Sequence, residues 1–108
     1  MEYWSEGDRV FAYRDEDDYF YPATILNIEE EDIFIRFDTG EEEWTQEEFL
    51  EEYAVSADEE VECKSTKDDQ YYDVIVLSAD GDRVEVEFSD GSTEWTTLSR
   101  IRFFIEEQ

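Results

Sequence analysis

Carboxylates and aromatic rings are the two kinds of side chain in this sequence that are numerous enough to do chemistry together. Thirty-four aspartates and glutamates (Asp+Glu 34) stand against eight lysines and arginines (Lys+Arg 8), which gives a net charge of −26. Aromatic residues make up 17% of the chain. An aromatic face attracts a cation through its quadrupole, and a nearby carboxylate adds Coulomb attraction. The composition therefore predicts a positively charged partner.

The side chains that most enzymes use for catalysis are scarce. There is no histidine, and the single cysteine, Cys63, has no histidine to activate it as a nucleophile. The sequence has no glycine-rich phosphate loop and no calcium-binding loop of the Asp-x-Asp-x-Asp-Gly type. A glycosidase needs two carboxylates held across a deep cleft, which a small domain does not offer. We predict a protein that is not an enzyme and carries neither cofactor nor metal, with Cys63 in its core.

The strong negative charge also limits the partners. Nucleic acid and anionic lipid headgroups are themselves negative and would be repelled, so we expect no direct nucleic-acid binding. No apolar stretch approaches the roughly 20 residues of a membrane helix, and we expect no membrane binding. The acidic N-terminus lacks the basic start of a secretory signal. These features predict an intracellular protein.

The sequence contains an internal repeat, which appears when Val10 is placed on Val61 and the alignment continues without a gap. The identical pairs include Asp17/Asp68, Tyr21/Tyr72, Phe37/Phe88, Gly40/Gly91 and Trp44/Trp95. Both tryptophans lie within a shared Glu-Trp-Thr. An ungapped match of this kind indicates duplication of one module. We expect the two copies to span residues 1–52 and 53–108.

Each copy has the pattern of short β-strands. Val84, Val86 and Phe88 alternate with acidic residues, the period of a half-buried strand. Asp80-Gly81 predicts a two-residue hairpin turn. The predicted strands are 8–14, 19–28, 32–38 and 42–46 in the first copy and 59–65, 70–79, 83–89 and 93–97 in the second. Short helical turns are expected at 46–50 and 97–101, and residues 51–57 should join the copies. About fifty residues can enclose only a small, strongly bent barrel.

Short segments of both copies carry a family pattern. They are 7–12 (GDRVFA), 19–25 (YFYPATI) and 37–40 (FDTG) in the first copy, and 71–74 (YYDV) and 88–91 (FSDG) in the second. In this order the segments resemble a tandem pair of Tudor domains, or the related Agenet domains, over nearly the whole chain. The resemblance implies an all-β fold of two tandem SH3-like, five-stranded barrels. It also implies a non-enzymatic reader of methylated lysine or arginine, commonly on histone tails, and a nuclear location if the source is eukaryotic.

The resemblance also implies positions for an aromatic cage in each copy. Two aromatic positions of the family are matched by Tyr21 and Phe37 in the first copy and by Tyr72 and Phe88 in the second. Asp90 matches the acidic position before the turn glycine, where the first copy has Thr39. Two further aromatic positions of the family are Arg14 and Glu41 in the first copy and Ser65 and Ser92 in the second.

The first copy has additional rings that could build a substitute cage. They are Tyr13, Tyr19 and Trp44, with Asp38 or Glu41 as the acid. Trp44 and its counterpart Trp95 could each form a cage wall or cap a barrel end. A cage depends on the number of its ring faces more than on one carboxylate, since acids are abundant on this surface. We therefore expect the first copy to be the stronger binder.

Two other functions fit the same charge. A DNA mimic would occupy a DNA-binding protein by spreading carboxylates along one face, about one charge per 1.7 Å of duplex axis. An acidic surface is also common in proteins adapted to high salt, and such a scaffold would have an unrelated partner. A reader of basic peptides differs from both because it concentrates rings and acids at one barrel end.

Overall fold

The computed structural model describes residues 4–104 and divides into two compact units between Tyr53 and Ala54. We call them module 1 and module 2. Residues 1–3 and 105–108, the outer ends of the two predicted copies, lie outside the described residues.

Each module is one five-stranded antiparallel sheet with a short 3₁₀ turn before its last strand. Module 1 contains β1 (Arg9–Arg14), β2 (Tyr19–Glu29), β3 (Asp32–Phe37), β4 (Glu42–Gln46), the 3₁₀ turn Glu47–Phe49 and β5 (Leu50–Glu52). Module 2 contains β6 (Glu60–Lys64), β7 (Tyr71–Asp80), β8 (Arg83–Phe88), β9 (Thr93–Thr97), the 3₁₀ turn Leu98–Arg100 and β10 (Ile101–Arg102). The strand orders are β4-β3-β2-β1-β5 and β9-β8-β7-β6-β10. The predicted all-β fold of two tandem SH3-like barrels is confirmed.

Two local expectations needed correction. The segment expected to join the copies from residue 51 begins later, because Leu50–Glu52 pairs with β1 as a fifth strand. The hairpin expected at Asp80-Gly81 is shifted by one residue, because Asp80 pairs with Arg83 and leaves Gly81 and Asp82 as its loop. Gly81 takes the positive φ of 64° that the tight turn requires.

The core of each module comes from alternate residues of its strands. Ile33, Ile35 and Phe37 are buried along β3, and Val84 and Val86 are buried at the matching places of β8. Both long strands have a register irregularity at the same site, between Ile25 and Asn27 in β2 and between Val76 and Ser78 in β7. A bulge of this kind bends a strand and lets a small sheet curve around its own core.

The backbone repeats the register that places Val10 on Val61. All residues with positive φ in the described chain form four pairs in this register, namely Gly7/Asp58, Asp18/Asp69, Glu30/Gly81 and Gly40/Gly91. Hydrogen bonds repeat as well, since Asp18 N–H donates to Arg14 C=O as Asp69 N–H donates to Ser65 C=O, both at 2.9 Å. The two modules thus share their turns as well as their strands, as duplication predicts.

Candidate cation-binding site

An exposed ring, Tyr72, and a half-buried one, Phe88, lie together in module 2. Tyr72 comes from β7 and Phe88 from the end of β8, and the pairing of Val74 with Phe88 places Tyr72 diagonally opposite. The ring centroids are 6.1 Å apart with an interplanar angle of 72°. Tyr72 is 43% exposed. Two nearly perpendicular rings form two walls of a cage.

Carboxylates surround this ring pair. Asp68, Asp90 and Glu94 line the same cavity of about 280 Å³ as Tyr72 and Phe88, and we call this cavity the module 2 cage. Tyr72 Oη donates to Asp68 Oδ2 at 2.5 Å, and this bond lowers the pKa of Asp68 below its ordinary value. Such bonds favour the charged carboxylate and hold it in place.

Asp90 is held in the same way by the turn that precedes β9. Ser92 Oγ donates to Asp90 Oδ1 at 2.6 Å, and the backbone N–H of Ser92 donates to the same oxygen at 2.9 Å. The bonds from the Ser92 side chain and backbone lower the pKa of Asp90. Lys67 also lines the cage and is the one cation among its described lining residues.

Glu94 contributes an oxygen without a partner. Its Oε2 atom is buried and accepts no hydrogen bond from any described residue, although Oε1 lies 3.4 Å from the hydroxyl of Thr66. A buried carboxylate oxygen without a donor is costly, and native proteins rarely leave one so.

Module 1 has the same ring pair, but its own arginine fills the site. Tyr21 and Phe37 have centroids 6.4 Å apart at 89°, and Tyr21 Oη donates to Asp17 Oδ2 at 2.5 Å. The Arg14 guanidinium carbon lies 5.3 Å from the centroid of the Tyr21 ring, and Tyr21 is only 8% exposed. Module 2 has Ser65 in place of Arg14 and is open.

The filling arginine is held by two carboxylates. Arg14 Nη2 donates to Glu16 at 2.7 Å and to Glu41 at 3.1 Å. Although partial burial opposes the charged form, these partners raise the pKa of Arg14. Glu41 was predicted as a cage acid, and in this structure it binds the chain's own cation.

Asp38, the other acid predicted for module 1, is already paired with an arginine of the chain. Arg9 donates to both of its carboxylate oxygens, at 2.7 and 2.8 Å, and to the hydroxyl of Tyr53 at 2.9 Å. The hydrogen bond to Asp38 raises the pKa of Arg9. A bidentate pair of this geometry leaves Asp38 little capacity for a ligand.

The other predicted aromatic residues do not join one cage. Tyr19 lies beside Tyr21, with centroids 6.4 Å apart. Tyr13 stacks on Phe49 at 5.7 Å, and both line a separate groove with Trp44. Trp95 lies outside the lining of the module 2 cage, and Arg83 sits over its ring at 5.0 Å.

Sequence reasoning overlooked several residues that shape these sites, and each had a weak signal. Asp68 belongs to the identical pair Asp17/Asp68, and Glu94 belongs to the shared Glu-Trp-Thr. Phe49 corresponds to Arg100 in the other copy, and Arg83 corresponds to Asp32. A comparison of the positions at which the copies differ would have drawn attention to both. The ring pair of module 2 lines an open cavity, whereas Arg14 lies over that of module 1.

Strand order and turns define the fold of both modules. The chain is a tandem pair of SH3-like barrels. No protein-family model matches the sequence, and no curated protein matches it significantly. Among solved structures, the crystal structure of AGDP1 AGD34 from Arabidopsis thaliana is similar, with 12% identity over 92% of this chain and 81% of that one and a TM-score of 0.47. At this level the match is a likeness in chain folding and transfers no binding property.

Residues 4–104 lack two further features that could indicate a function. None of their helices has the length and apolar character to cross a membrane. Within the same residues, no three or more acidic or cysteine side chains converge in a way that could hold a metal ion.

Proposed function

We propose that this tandem Tudor-like chain is a non-enzymatic interaction module that binds a basic protein segment, such as a histone tail. The module 2 cage would hold one lysine or arginine side chain of that segment, methylated or unmethylated. The observation that supports this function most directly is the Tyr72–Phe88 ring pair, with three carboxylates lining the same cavity.

The chemistry of the cage suits a cation. A ring face attracts an ammonium or guanidinium group by about 0.5–2 kcal/mol, and more when the group is desolvated. Asp68 and Asp90 are charged at neutral pH and add Coulomb attraction, and their hydrogen bonds favour this charged form further. The net charge of −26 would speed encounter with a basic partner over a longer range.

The same observation favours a reader over a DNA mimic. A mimic needs carboxylates spread at phosphate-like spacing and has no use for such a ring pair. In module 2 the rings and acids converge on one cavity, which is the arrangement expected of a reader.

Binding titrations against an array of basic peptides would test this proposal. The array should include histone-tail sequences with unmethylated, monomethylated, dimethylated and trimethylated lysine and with methylated arginine. Tyr72→Leu keeps apolar bulk but removes the ring face, and it should weaken binding by roughly tenfold, the equivalent of about 1.4 kcal/mol. Trp95→Leu, which removes an exposed ring outside the cage, is the matched control.

Circular dichroism should first show that both variants are folded. Their peptide affinities can then be compared with that of the parent chain. A loss confined to Tyr72→Leu supports the cage. Equal affinity of Tyr72→Leu and the parent chain for every peptide that binds would refute it.

A further inference from the structure

A second concave surface lies in module 1, away from its Arg14-filled ring pair. It is a groove of about 340 Å³, and we call it the Trp44 groove. Its main lining residues are Tyr13, Asp15, Asp32, Glu43, Trp44 and Phe49. Trp44 is 49% exposed and Phe49 38% exposed. Large exposed rings beside carboxylates are a surface that a cation can cover.

The equivalent positions of module 2 carry cations. In the register that places Val10 on Val61, Lys64 replaces Tyr13, Arg83 replaces Asp32 and Arg100 replaces Phe49. The guanidinium carbon of Arg83 lies 5.0 Å from the centroid of Trp95, the counterpart of Trp44. Arg83 therefore lies over one part of the Trp95 ring, which stays 45% exposed, whereas module 1 has an aspartate at the same strand position.

Arg100 shows how firmly the module 2 cations are held. It donates to the carbonyl oxygens of Lys64 and Ser65 at 2.8 and 2.9 Å and to Asp69 at 2.9 Å. In module 1 the same position is Phe49, which stacks on Tyr13 instead. The replacement exchanges a cation for a ring face and leaves the Trp44 groove without a cation among its described lining residues.

The negative charge of the groove is poorly compensated. Partial burial, with the nearby Asp15 and Glu41, raises the pKa of Glu43 above its ordinary value, and Arg14 opposes this only in part. A carboxylate whose neighbours are mostly acidic gains from an incoming positive charge.

We propose that the Trp44 groove is a second binding site, separate from the module 2 cage, and that it takes an arginine side chain of a basic partner segment. The guanidinium group would stack on Trp44 and pair with Asp32, in the place where Arg83 lies over Trp95 in module 2. Arginine suits the groove because its planar group both stacks on an indole and pairs with a carboxylate. A second copy of this chain is a poor occupant, because two chains of charge −26 repel each other.

The test uses the full chain and a short peptide of alternating glycine and arginine, followed by NMR. The indole N–H signal of Trp44, assigned with Trp44→Phe, should shift as the peptide is added. Asp32→Arg introduces the residue that module 2 carries at this position and should abolish the shift. Glu52→Arg makes the same change in charge at an exposed residue outside the groove lining, and it should retain the shift.

The reverse variant keeps the test decisive if Asp32→Arg does not fold. Arg83→Asp removes the arginine from Trp95, so the Trp95 indole signal should begin to respond to the peptide. Equal loss in Asp32→Arg and Glu52→Arg would overturn the proposal, because it would indicate diffuse charge attraction. A Trp44 signal that shifts with protein concentration alone would also overturn it, because the occupant would then be a second copy.

The two sites can be tested separately. Tyr72→Leu disables the module 2 cage and should leave the Trp44 shift unchanged. Loss of the Trp44 shift in Tyr72→Leu would contradict the separation of the sites, whether or not the cage itself binds peptide.

Discussion

The Arg14 guanidinium carbon lies 5.3 Å from the centre of the Tyr21 ring, and module 2 has Ser65 where module 1 has Arg14. Arg14 is one of several differences between the covered ring pair and the open one, since Tyr19, which lies beside Tyr21, is also replaced in module 2, by Gln70. Tyr21 is 8% exposed and its counterpart Tyr72 is 43% exposed. Module 1 thus holds an internal cation in the place where module 2 has room for an external one.

Exchanging Arg14 and Ser65 should exchange the states of the modules. Arg14→Ser is expected to uncover Tyr21, so that the amide signals of Tyr21 and Phe37 shift when a basic peptide is added. Ser65→Arg, combined with Lys67→Glu and Ser92→Glu to supply the two carboxylates that hold Arg14, should close the module 2 cage and reduce peptide affinity about as much as Tyr72→Leu. NMR titration measures both effects.

The control for Arg14→Ser must remove the same charge elsewhere. Arg36→Ser does so at an arginine that pairs with Glu42 on the exposed side of the β3–β4 pair. If Arg36→Ser produced the same new shifts at Tyr21 and Phe37, added negative charge and not cage opening would be their cause.

Salt should weaken binding of a basic peptide strongly. The attraction comes from a chain of net charge −26, and mobile ions screen exposed charges beyond about 10 Å at 0.1 M salt. Dissociation constants measured over a series of sodium chloride concentrations should rise steeply at each step. A constant affinity over the series would point to a dry, apolar interface.

The Tyr72–Asp68 hydrogen bond predicts a dependence on pH. It lowers the pKa of Asp68 from its ordinary value of 3.8, so its stabilising effect is present above that pH and is lost as the pH falls through the lower, folded-state pKa. Tyr72→Phe should return the Asp68 pKa toward 3.8, as measured by carboxyl NMR titration. The variant should be less stable than the parent at neutral pH, and the difference should disappear once the pH has fallen below the folded-state pKa of Asp68.

A glycine at position 30, in the turn between β2 and β3, should make the protein more stable. Glu30 has a φ of 56°, and its counterpart in module 2 is Gly81. Relief of the left-handed strain, less the entropy cost of glycine, should raise the free energy of unfolding of Glu30→Gly by roughly 0.5–1 kcal/mol.

Glu31→Gly is the matched control for this change. It removes the same charge at the neighbouring loop residue, where no positive φ occurs. Thermal or denaturant unfolding should show a loss of roughly 0.5–1 kcal/mol for Glu31→Gly. Equal gains in both variants would attribute the effect to reduced charge repulsion.

The strands and the repeat were predictable because both leave periodic marks in the sequence. Apolar and acidic residues alternate along Val84–Phe88, which indicates the buried face of β8. Gly40 and Gly91 mark the turns that follow β3 and β8. The fifth strand was missed because Leu50–Glu52 contains one apolar residue and two acids, too short a pattern to show a period. Its pairing with β1 is a tertiary effect.

The candidate sites were less predictable, because side-chain direction decides them. We predicted that Tyr13 and Trp44 could build a substitute cage with Tyr21, but they line the Trp44 groove instead. The sequence also identified Arg14 as a departure from an aromatic pattern without indicating that its guanidinium group lies over Tyr21. Ion pairs such as that of Arg9 with Asp38 join residues far apart in the chain, so no local sequence pattern predicts them.

The matched positive-φ pairs have a practical consequence for engineering. Because the Asp18 and Asp69 turns follow the same backbone path, residues 14–18 and 65–69 can be transplanted into each other's place without changing loop length or register. A few exchangeable side chains would then determine which ligand a module prefers, while the strands provide the same framework in both modules. A series of such grafts would yield chains with no open cage, one or two, all on the same scaffold.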